Sequence, residues 1–382
     1  MTATGTAPLP PARLPAVDVF RGLTVAAMIL VNNPGNWGQV YPPFRHAAWH
    51  GWTPTDLIFP FFLFIVGITT TLSLDARRER GATDGELATQ ILRRGTIIVG
   101  LGLLVSAFPF FPREQLAHLR IPGVLQRIGV AYLAAGMIVL HGSWRTQVAI
   151  TAAILFGYWA VLALVPVPGG WRPALEPPEA TLPAWLDRLL FDGHLWAATK
   201  SWDPEGLLST IPAVASVLLG ALAARLIQDG RPLTQRVRRL AASGAVAAAA
   251  GLLWGLVFPI NKNLWTSSYA LFTAGAAGLA LALCLWAIDV RERRGWIKPF
   301  LVFGVNPIVA FVGSAMLSRL LYTTLRVPND GATISLQQAI HRSLFASWLP
   351  PKPASLAFAL VMVAFWWGVL ALLDRRGIRL KV

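Results

Sequence analysis

Long apolar segments recur along this chain, and their length constrains the fold more than any other feature. A helix needs about 20 predominantly apolar residues to cross a bilayer. Segments of this kind lie near residues 16–33, 53–74, 91–108, 121–140, 146–165, 207–226, 237–258, 265–288, 299–321 and 354–373. Charged residues make up only 13% of the sequence, against about 25% in soluble proteins. The sequence therefore predicts an all-α polytopic membrane protein with about ten transmembrane helices.

Two further segments differ from this pattern. Residues 334–349, "ISLQQAIHRSLFASWL", carry polar and basic residues at spacings that a spanning helix does not tolerate, so we expect an interfacial helix there. Residues 1–15 have neither the basic start nor the apolar core of a signal peptide, and we expect a disordered cytoplasmic tail. The remainder, 16–382, is predicted to form a single transmembrane domain.

The distribution of basic residues predicts the orientation of the chain. The net formal charge is +15, which in a soluble protein would suggest a nucleic-acid partner. Here the arginines concentrate in the loops after even-numbered spans and near the C-terminus. By the positive-inside rule both termini are cytoplasmic, and no nucleic acid is needed to explain the charge. The single cysteine, Cys284, excludes a disulfide framework and a cysteine-rich metal site.

Two histidines and an aspartate stand at the outer entrance of the second span. His46 and His50 are four residues apart, and Asp56 follows in "TPTD". The three could form a metal-ligand set, but no HExxH motif or cysteine supports one, and we expect no metal. Asp56 also has the position of a helix cap, after Thr53 and Pro54. The plainer alternative to a functional role is that the two histidines lie in an outer loop and take part in no chemistry.

Several polar side chains fall within the predicted spans, where each needs a partner. Asp18 and Arg21, three residues apart in the first span, form either a structural ion pair or part of a site. Gln126 and Arg127 lie about two turns inside the fourth span. The permanent charge of Arg127 calls for an anionic ligand such as phosphate, or for a buried carboxylate such as Asp18. Asn306 lies inside the ninth span.

Two outer loops carry further candidates. Asp203 and Glu205 in "KSWDPEGLLST" precede the sixth span, where they either favour the helix start or recognise a sugar hydroxyl or amine. The loop "PINKNLW" holds Asn261, Lys262 and Asn263, and the amide side chains of its two asparagines suit polyol recognition. All these loops are non-cytoplasmic, which predicts an outward-facing chamber.

Six motifs follow one another in an order found in a known family. They are "VDVFRG", "HAAWHGWTPTDLIFPFFLFIVG", "RIPGVLQRIGVAYL", "DPEGLL", "INKNLW" and "GVNPI". At these residues the sequence resembles the heparan-alpha-glucosaminide N-acetyltransferase family, including its bacterial inner-membrane relatives of the NagX type. The motifs extend along nearly the whole chain, so the resemblance concerns the transmembrane domain as a unit.

The resemblance implies transfer of an acetyl group from cytoplasmic acetyl-CoA to the amine of a glucosamine-type sugar on the periplasmic side. The family's catalytic histidine falls on His46, and its neighbouring asparagine falls on Asn32, a donor for the thioester oxyanion. An amine is mostly protonated at neutral pH, so a histidine, which titrates near 6.5, suits it as a general base. A transient acetyl-imidazole on His46 is the alternative. The alternative function is a proton-coupled amino-sugar transporter.

The expected binding residues form two groups, neither of which includes a metal ligand. Those assigned to acetyl-CoA, the expected cosubstrate, are Arg127, Gln126, Asp18, Arg21, Arg93, Arg94, Arg239 and Asn306. Those assigned to the sugar are Trp49, Asp56, Asp203, Glu205, Asn261, Lys262 and Asn263. The chain is expected to be a homodimer in the bacterial inner membrane.

Overall fold

The structure is a computed structural model that describes residues 14–170, 172–329 and 331–380. The tail predicted over residues 1–15 lies mostly outside these ranges, and Pro15 is already the first residue of a helix. The α-helices are α1 (Pro15–Asn32), α2 (Ile58–Arg78), α3 (Asp84–Ala107), α4 (Glu114–Ala117), α5 (Val124–His141), α6 (Trp144–Leu164), α7 (Leu182–Phe191), α8 (Leu207–Gln228), α9 (Leu233–Trp254), α10 (Ser267–Leu285), α11 (Lys298–Val305), α12 (Pro307–Arg319), α13 (Leu336–His341) and α14 (Pro351–Arg375).

Nine helical segments of the described ranges are long and apolar enough to cross a membrane, which confirms the predicted all-α polytopic class. The seventh predicted span, 237–258, coincides with α9, which is helical but is not one of the nine. Its first turns carry three arginines and its remainder is rich in alanine and glycine, so its apolar content is low. The helix packs closely on α10, and the lack of a side chain at Gly251 permits this approach. A Cβ on Gly251 would lie only 2.3 Å from the backbone nitrogen of Phe272.

The predicted span at 299–321 is broken in the middle. Asn306 has φ −124° and ψ 55° and separates α11 from α12, because Pro307 lacks the N–H that a continuous helix would use. The Asn306 amide is occupied by the C-terminal segment. Its Nδ2 donates to the Ile378 carbonyl over 3.1 Å, and its Oδ1 accepts the Leu380 N–H over 3.0 Å. The broken helix is thus stabilised by the end of the chain.

The predicted helix at 334–349 begins two residues late. A hairpin of β1 (Arg326–Asn329) and β2 (Ala332–Ser335) takes the first two positions. Ser335 then caps α13, since its Oγ accepts the Gln338 N–H over 3.2 Å. A π-helical turn, Arg342–Ala346, continues the helix. The amphipathic segment is therefore helical, with its start set by a capping serine.

The loops before α2, α5, α8 and α10 gather at one end of the bundle, which we call the outer end. The Gly51 N–H donates to the Ile260 carbonyl over 2.7 Å, and the Ile121 N–H donates to the His194 carbonyl over 3.0 Å. Close packing of α2 on α8 holds these loops together. A Cβ on Gly67, for example, would lie 1.9 Å from a carbonyl oxygen of α8. The loops that carry most of the candidate residues are therefore neighbours.

Candidate active site

The His46 imidazole is bonded to the Asp56 carboxylate, with 2.6 Å between Nδ1 and Oδ1. Asp56 is only 1% exposed, whereas the His46 side chain is 49% exposed. A carboxylate at Nδ1 favours the tautomer that carries its proton there, which leaves the lone pair on Nε2. This geometry suits a histidine that removes a proton or attacks a carbonyl carbon.

Asp56 is fixed by a set of hydrogen bonds within its own loop. Its Oδ2 accepts the N–H groups of Ala47 and Thr53, each over 3.0 Å, and the Thr53 hydroxyl over 3.1 Å. The Tyr269 hydroxyl donates to the Asp56 main-chain carbonyl over 2.6 Å. Asp56 is therefore the cap of the turn before α2, as the sequence indicates, and also the partner of His46, which no feature of the sequence predicts.

Lys262 brings an amine to the His46 ring. Its Nζ lies 3.2 Å from Nδ1 and 3.3 Å from Nε2. The turn that carries Lys262 is fixed by Asn261, whose buried amide oxygen accepts a backbone N–H within the turn over 2.8 Å. Burial lowers the pKa of Lys262, and the carboxylates of Glu205 and Asp56 offset only part of this effect. Lys262 therefore loses its proton more easily than a fully solvated lysine does.

Arg120 joins the two acidic residues that precede α8. Its Nε and Nη2 donate to the Asp203 carboxylate over 2.8 and 2.5 Å, and Nη2 also donates to Glu205 over 2.6 Å. The guanidinium carbon lies 5.6 Å from the centroid of the Trp196 ring. Burial acts to raise the pKa of Glu205, but the nearby positive charges outweigh it and hold this pKa below its ordinary value. Glu205 is therefore a carboxylate at neutral pH.

These groups open onto a cavity of 440 Å³, which we call the His46 cavity. It runs along α1 from Asn32 to Thr24, about 12 Å of helix rise. The outer part is polar and the inner part is mainly apolar. The lining residues are Thr24, Met28, Val31, Asn32, His46, Ala48, Thr55, Ile58, Phe59, Phe62, Arg120, Val124, Ile128, Trp196, Thr199, Trp202, Pro204, Glu205, Lys262, Asn263 and Phe311.

The structure brings several predicted site residues to this cavity. Asn32, His46, Glu205, Lys262 and Asn263 line it. Asp56 and Asp203 lie directly behind it, bonded to His46 and Arg120. Asn261 supports the Lys262 turn, and Trp49 packs edge-on against the lining residue Trp202, with ring centroids 5.3 Å apart.

Arg127 lies beneath this end and is 2% exposed. Its guanidinium donates to the Thr210 hydroxyl over 3.2 Å, to the Gly206 carbonyl over 3.2 Å and to the Ser209 hydroxyl. It also stacks on Trp265, 5.1 Å from the ring centroid. The hydrogen-bond partners lie at the start of α8, and Trp265 lies in the loop before α10. Arg127 therefore ties α5 to α8.

The remaining residues assigned to acetyl-CoA do not line the His46 cavity. Asp18 and Arg21 form an ion pair of 3.1 Å in the first turns of α1, about 20 Å of helix rise from Asn32. Gln126 Nε2 is 3.5 Å from the Ser106 hydroxyl. The others are Arg93 and Arg94 on α3, Arg239 on α9, which pairs with Asp229, and Asn306, which binds residues 378 and 380.

Arg120, Trp196 and Trp202 are parts of the site that no pattern in the sequence predicts. Arg120 and Asp203 are 83 positions apart, and no local pattern connects them. The tryptophans have the sequence context of interfacial anchors. Within the described ranges, no group of three or more His, Cys, Asp or Glu side chains is placed to hold a metal ion.

Comparison with known proteins identifies relatives. Residues 13–253 match the family described as "Heparan-alpha-glucosaminide N-acetyltransferase, catalytic". Over 80% of its length the chain is 31% identical to "Heparan-alpha-glucosaminide N-acetyltransferase" of Homo sapiens. It is 30% identical, over the same share, to the protein of that name from Mus musculus. The match covers 53% and 54% of these two proteins, so the chain spans about half the length of the relatives.

Proposed function

Because the chain belongs to the heparan-alpha-glucosaminide N-acetyltransferase catalytic family, we propose that it transfers an acetyl group from acetyl-CoA to the amine of a glucosamine-type sugar. The observation that carries the proposal is the His46–Asp56 pair, which opens onto a cavity of 440 Å³. That volume lies within the range of small-molecule sites. It joins a polar end for the sugar to an apolar end for the donor's acyl-carrying arm.

The acceptor amine attacks a carbonyl carbon only in its neutral form, so the protonated amine first gives up one proton to solvent. In the ternary-complex route, the neutral amine nitrogen then bonds to the thioester carbonyl carbon while His46 Nε2 takes the second proton that this nitrogen loses. In the alternative route, Nε2 itself attacks the thioester, and the sugar amine then removes the acetyl group from the imidazole. In both, the sulfur–carbon bond breaks and the CoA thiolate leaves. Asp56 stabilises the imidazolium that forms in either case.

Three residues that line the His46 cavity have complementary roles in this proposal. Asn32 lines the cavity on the α1 side and is a donor for the oxygen that becomes negative in the tetrahedral intermediate. Glu205 supplies a carboxylate for the protonated amine before it reaches His46. Asn263 offers an amide to the sugar hydroxyls.

The donor is proposed to approach from the inner end of the cavity. Met28, Phe62 and Phe311 give that end an apolar lining, which suits the uncharged arm between the thioester and the nucleotide. The basic residues Arg93, Arg94 and Arg239 are proposed to bind its phosphates from the cytoplasmic side. We further propose that the protein is a homodimer in the bacterial inner membrane, with both termini in the cytoplasm.

A single-turnover experiment tests this proposal. Purified wild-type, His46→Ala and His50→Ala proteins in detergent are mixed with radiolabelled acetyl-CoA, with and without glucosamine, and quenched rapidly. We expect acetylated glucosamine from the wild type and the His50→Ala control, and a loss of at least 100-fold in His46→Ala. Unchanged turnover in His46→Ala would refute the role of His46.

The same experiment separates the two routes, and an uptake assay in proteoliposomes tests the alternative function. Label on the wild-type protein that glucosamine removes indicates the acetyl-histidine route. Acetylated sugar without protein-bound label indicates the ternary complex. Glucosamine uptake into proteoliposomes without acetyl-CoA, together with no acetylation, would replace the proposal by a transporter.

A further inference from the structure

A second large recess lies among the spanning helices at the end of the bundle opposite the outer end. Its volume is 570 Å³, and residues of α6, α8, α9 and α10 line most of it. We call it the α8 groove. Among the described residues, none that lines the α8 groove also lines the His46 cavity. A ligand in the α8 groove would therefore lie outside that cavity.

The α8 groove has the depth of one membrane leaflet. Along α8 it extends from Leu219 to Asp229, which is about 15 Å of helix rise. The hydrocarbon core of a bilayer is about 30 Å thick, so one leaflet contributes about half of that thickness. Trp144, at the start of α6, also lines the groove and is 54% exposed, and tryptophan is enriched at headgroup depth. The groove therefore extends from the headgroup region toward the middle of the bilayer.

The walls of the α8 groove are apolar, and part of its floor has no side chains. Gly244 on α9 and Gly275 on α10 line it. A Cβ on Gly244 would lie 2.9 Å from the Gly275 carbonyl oxygen, so the two helices meet backbone to backbone there. Val148 on α6 and Leu222 on α8 supply apolar walls. A recess of this kind suits an acyl chain, whose methylene groups pack against apolar side chains.

The α8 groove is positively charged where α8 ends and α9 begins. Its charged lining residues are Arg225, Asp229 and Arg239. The Asp229 carboxylate is already paired with two arginines, Arg239 and, over 3.2 Å, Arg231. Arg225 is partly exposed, and it forms no hydrogen bond or ion pair with any residue that the structure describes. Arg225 is therefore the cation that can pair with a phosphate at this end of the groove.

We propose that the α8 groove binds a phospholipid whose headgroup has a net negative charge. The lipid phosphate bonds to the Arg225 guanidinium, and one acyl chain lies in the apolar part of the groove beside Val148 and Leu222. A zwitterionic headgroup would bring an ammonium group toward the arginines at this end, and like charges repel. The groove therefore selects an anionic lipid. This inference does not depend on the proposed function, because it concerns a separate recess.

Photocrosslinking tests the proposal. The purified protein is reconstituted into phosphatidylcholine vesicles that contain a small fraction of phosphatidylglycerol with a photoreactive group on its acyl chain. After irradiation, the labelled residues are mapped by peptide mass spectrometry. We expect label on lining residues such as Leu222, and an excess of unlabelled phosphatidylglycerol should remove it. The same photoreactive chain on phosphatidylcholine should label the groove about tenfold less, because its headgroup has no net charge.

Two variants with matched controls examine the headgroup and the acyl chain separately. Arg225→Gln should reduce the labelling of Leu222 about tenfold, because a charge-assisted bond is lost. Its control is Arg238→Gln, which removes the same charge from an exposed side chain outside the groove. Ala247→Phe should also reduce the labelling, since Ala247 lines the groove and a phenyl ring would fill it. Ala245→Phe, at an exposed position outside the groove, is its control.

Each of four results would overturn the proposal. Equal labelling by the two lipids would show that the groove does not select an anionic headgroup. Equal labelling in Arg225→Gln and Arg238→Gln would show that Arg225 does not bind the phosphate. No label in the groove would indicate that it is closed to lipid, for example by a second copy of the chain. Displacement of the label by acetyl-CoA would assign the groove to the acetyl donor.

Discussion

Asp56 combines two tasks that usually belong to different residues. One carboxylate oxygen bonds to His46 Nδ1, while the other accepts two backbone N–H groups and a hydroxyl. The loop conformation and the orientation of the imidazole therefore depend on the same side chain. A substitution that preserves its shape separates the two tasks.

Asp56→Asn is that substitution. The amide oxygen can still accept the backbone N–H groups, so we expect the protein to fold. The amide cannot stabilise an imidazolium and favours the wrong histidine tautomer, so we expect the acetyl-transfer rate to fall about 100-fold or more. The rate and the apparent Tm are measured beside Asp192→Asn, an exposed aspartate. A rate close to that of the control would contradict the assigned role.

Arg120 supplies the positive charge that compensates two buried carboxylates, those of Asp203 and Glu205. Arg120→Gln would leave Asp203 and Glu205 uncompensated, and breaking a buried ion pair costs about 3–5 kcal/mol. We expect a value near 3 kcal/mol, because the Arg120 side chain is 22% exposed. Apparent Tm from scanning fluorimetry is compared with that of Arg113→Gln, an exposed arginine just before it in the chain. Equal melting in the two variants would show that the pairs contribute little.

At the scale of elements, α7 caps the start of α8. The Asp187 carboxylate on α7 accepts the Leu207 N–H over 3.0 Å and the Asp203 N–H over 3.3 Å. Gly206 is required at this contact, since a Cβ there would lie 2.0 Å from an Asp187 oxygen. Burial raises the pKa of Asp187 to about 6, although the two N–H groups oppose this effect. The junction should therefore respond to pH.

The sign of this response follows from the two pKa values. Unfolded Asp187 titrates near 3.8 and folded Asp187 near 6, so the folded state binds more protons between these values. Its stability should fall as pH rises from about 4 to about 6, by about 3 kcal/mol in total. When apparent Tm is measured as a function of pH, Asp187→Asn should not show this fall. Asp192→Asn is the control, and a variant profile that keeps the fall would assign it to another group.

The elements that could be predicted from the sequence are those set by composition. Spans such as α2 and α14 need only a long apolar segment, and they form where expected. Apolarity does not predict the break at Asn306, because Pro307 interrupts a segment that is otherwise apolar. The partners of the Asn306 amide are equally hidden from a local pattern, since they lie at residues 378 and 380. The late start of α13 depends on a strand pairing that no helical periodicity predicts.

At the scale of the whole molecule, the candidate site is an assembly of distant loops. Motifs in the sequence led to His46, Asn32 and Lys262 because each stands in a recognisable segment. Arg120 and Trp196 form part of the wall of the His46 cavity, and their positions depend on how the loops before α5 and α8 meet. Such contacts between loops have no local signature, so sequence reasoning could not supply them.

The orientation of the molecule is open to a labelling test. We introduce Glu179→Cys at the outer end and Arg231→Cys at the other, each in a Cys284→Ala background. A membrane-impermeant maleimide applied to spheroplasts should label the first and leave the second unlabelled, because basic loops remain in the cytoplasm. Lysed cells should label both. The reverse pattern in intact spheroplasts would invert the proposed topology.

The contact between Asn306 and residues 378 and 380 has a consequence for biosynthesis. Asn306 is buried, and its amide is satisfied by groups that lie 72 and 74 positions later in the chain. These groups are made only after α14, so α11 and α12 enter the membrane while the Asn306 amide still lacks its partners. A chain that stops before residue 378 keeps this unpaired amide within the protein. The break between α11 and α12 is therefore completed by residues that are synthesised later than both helices.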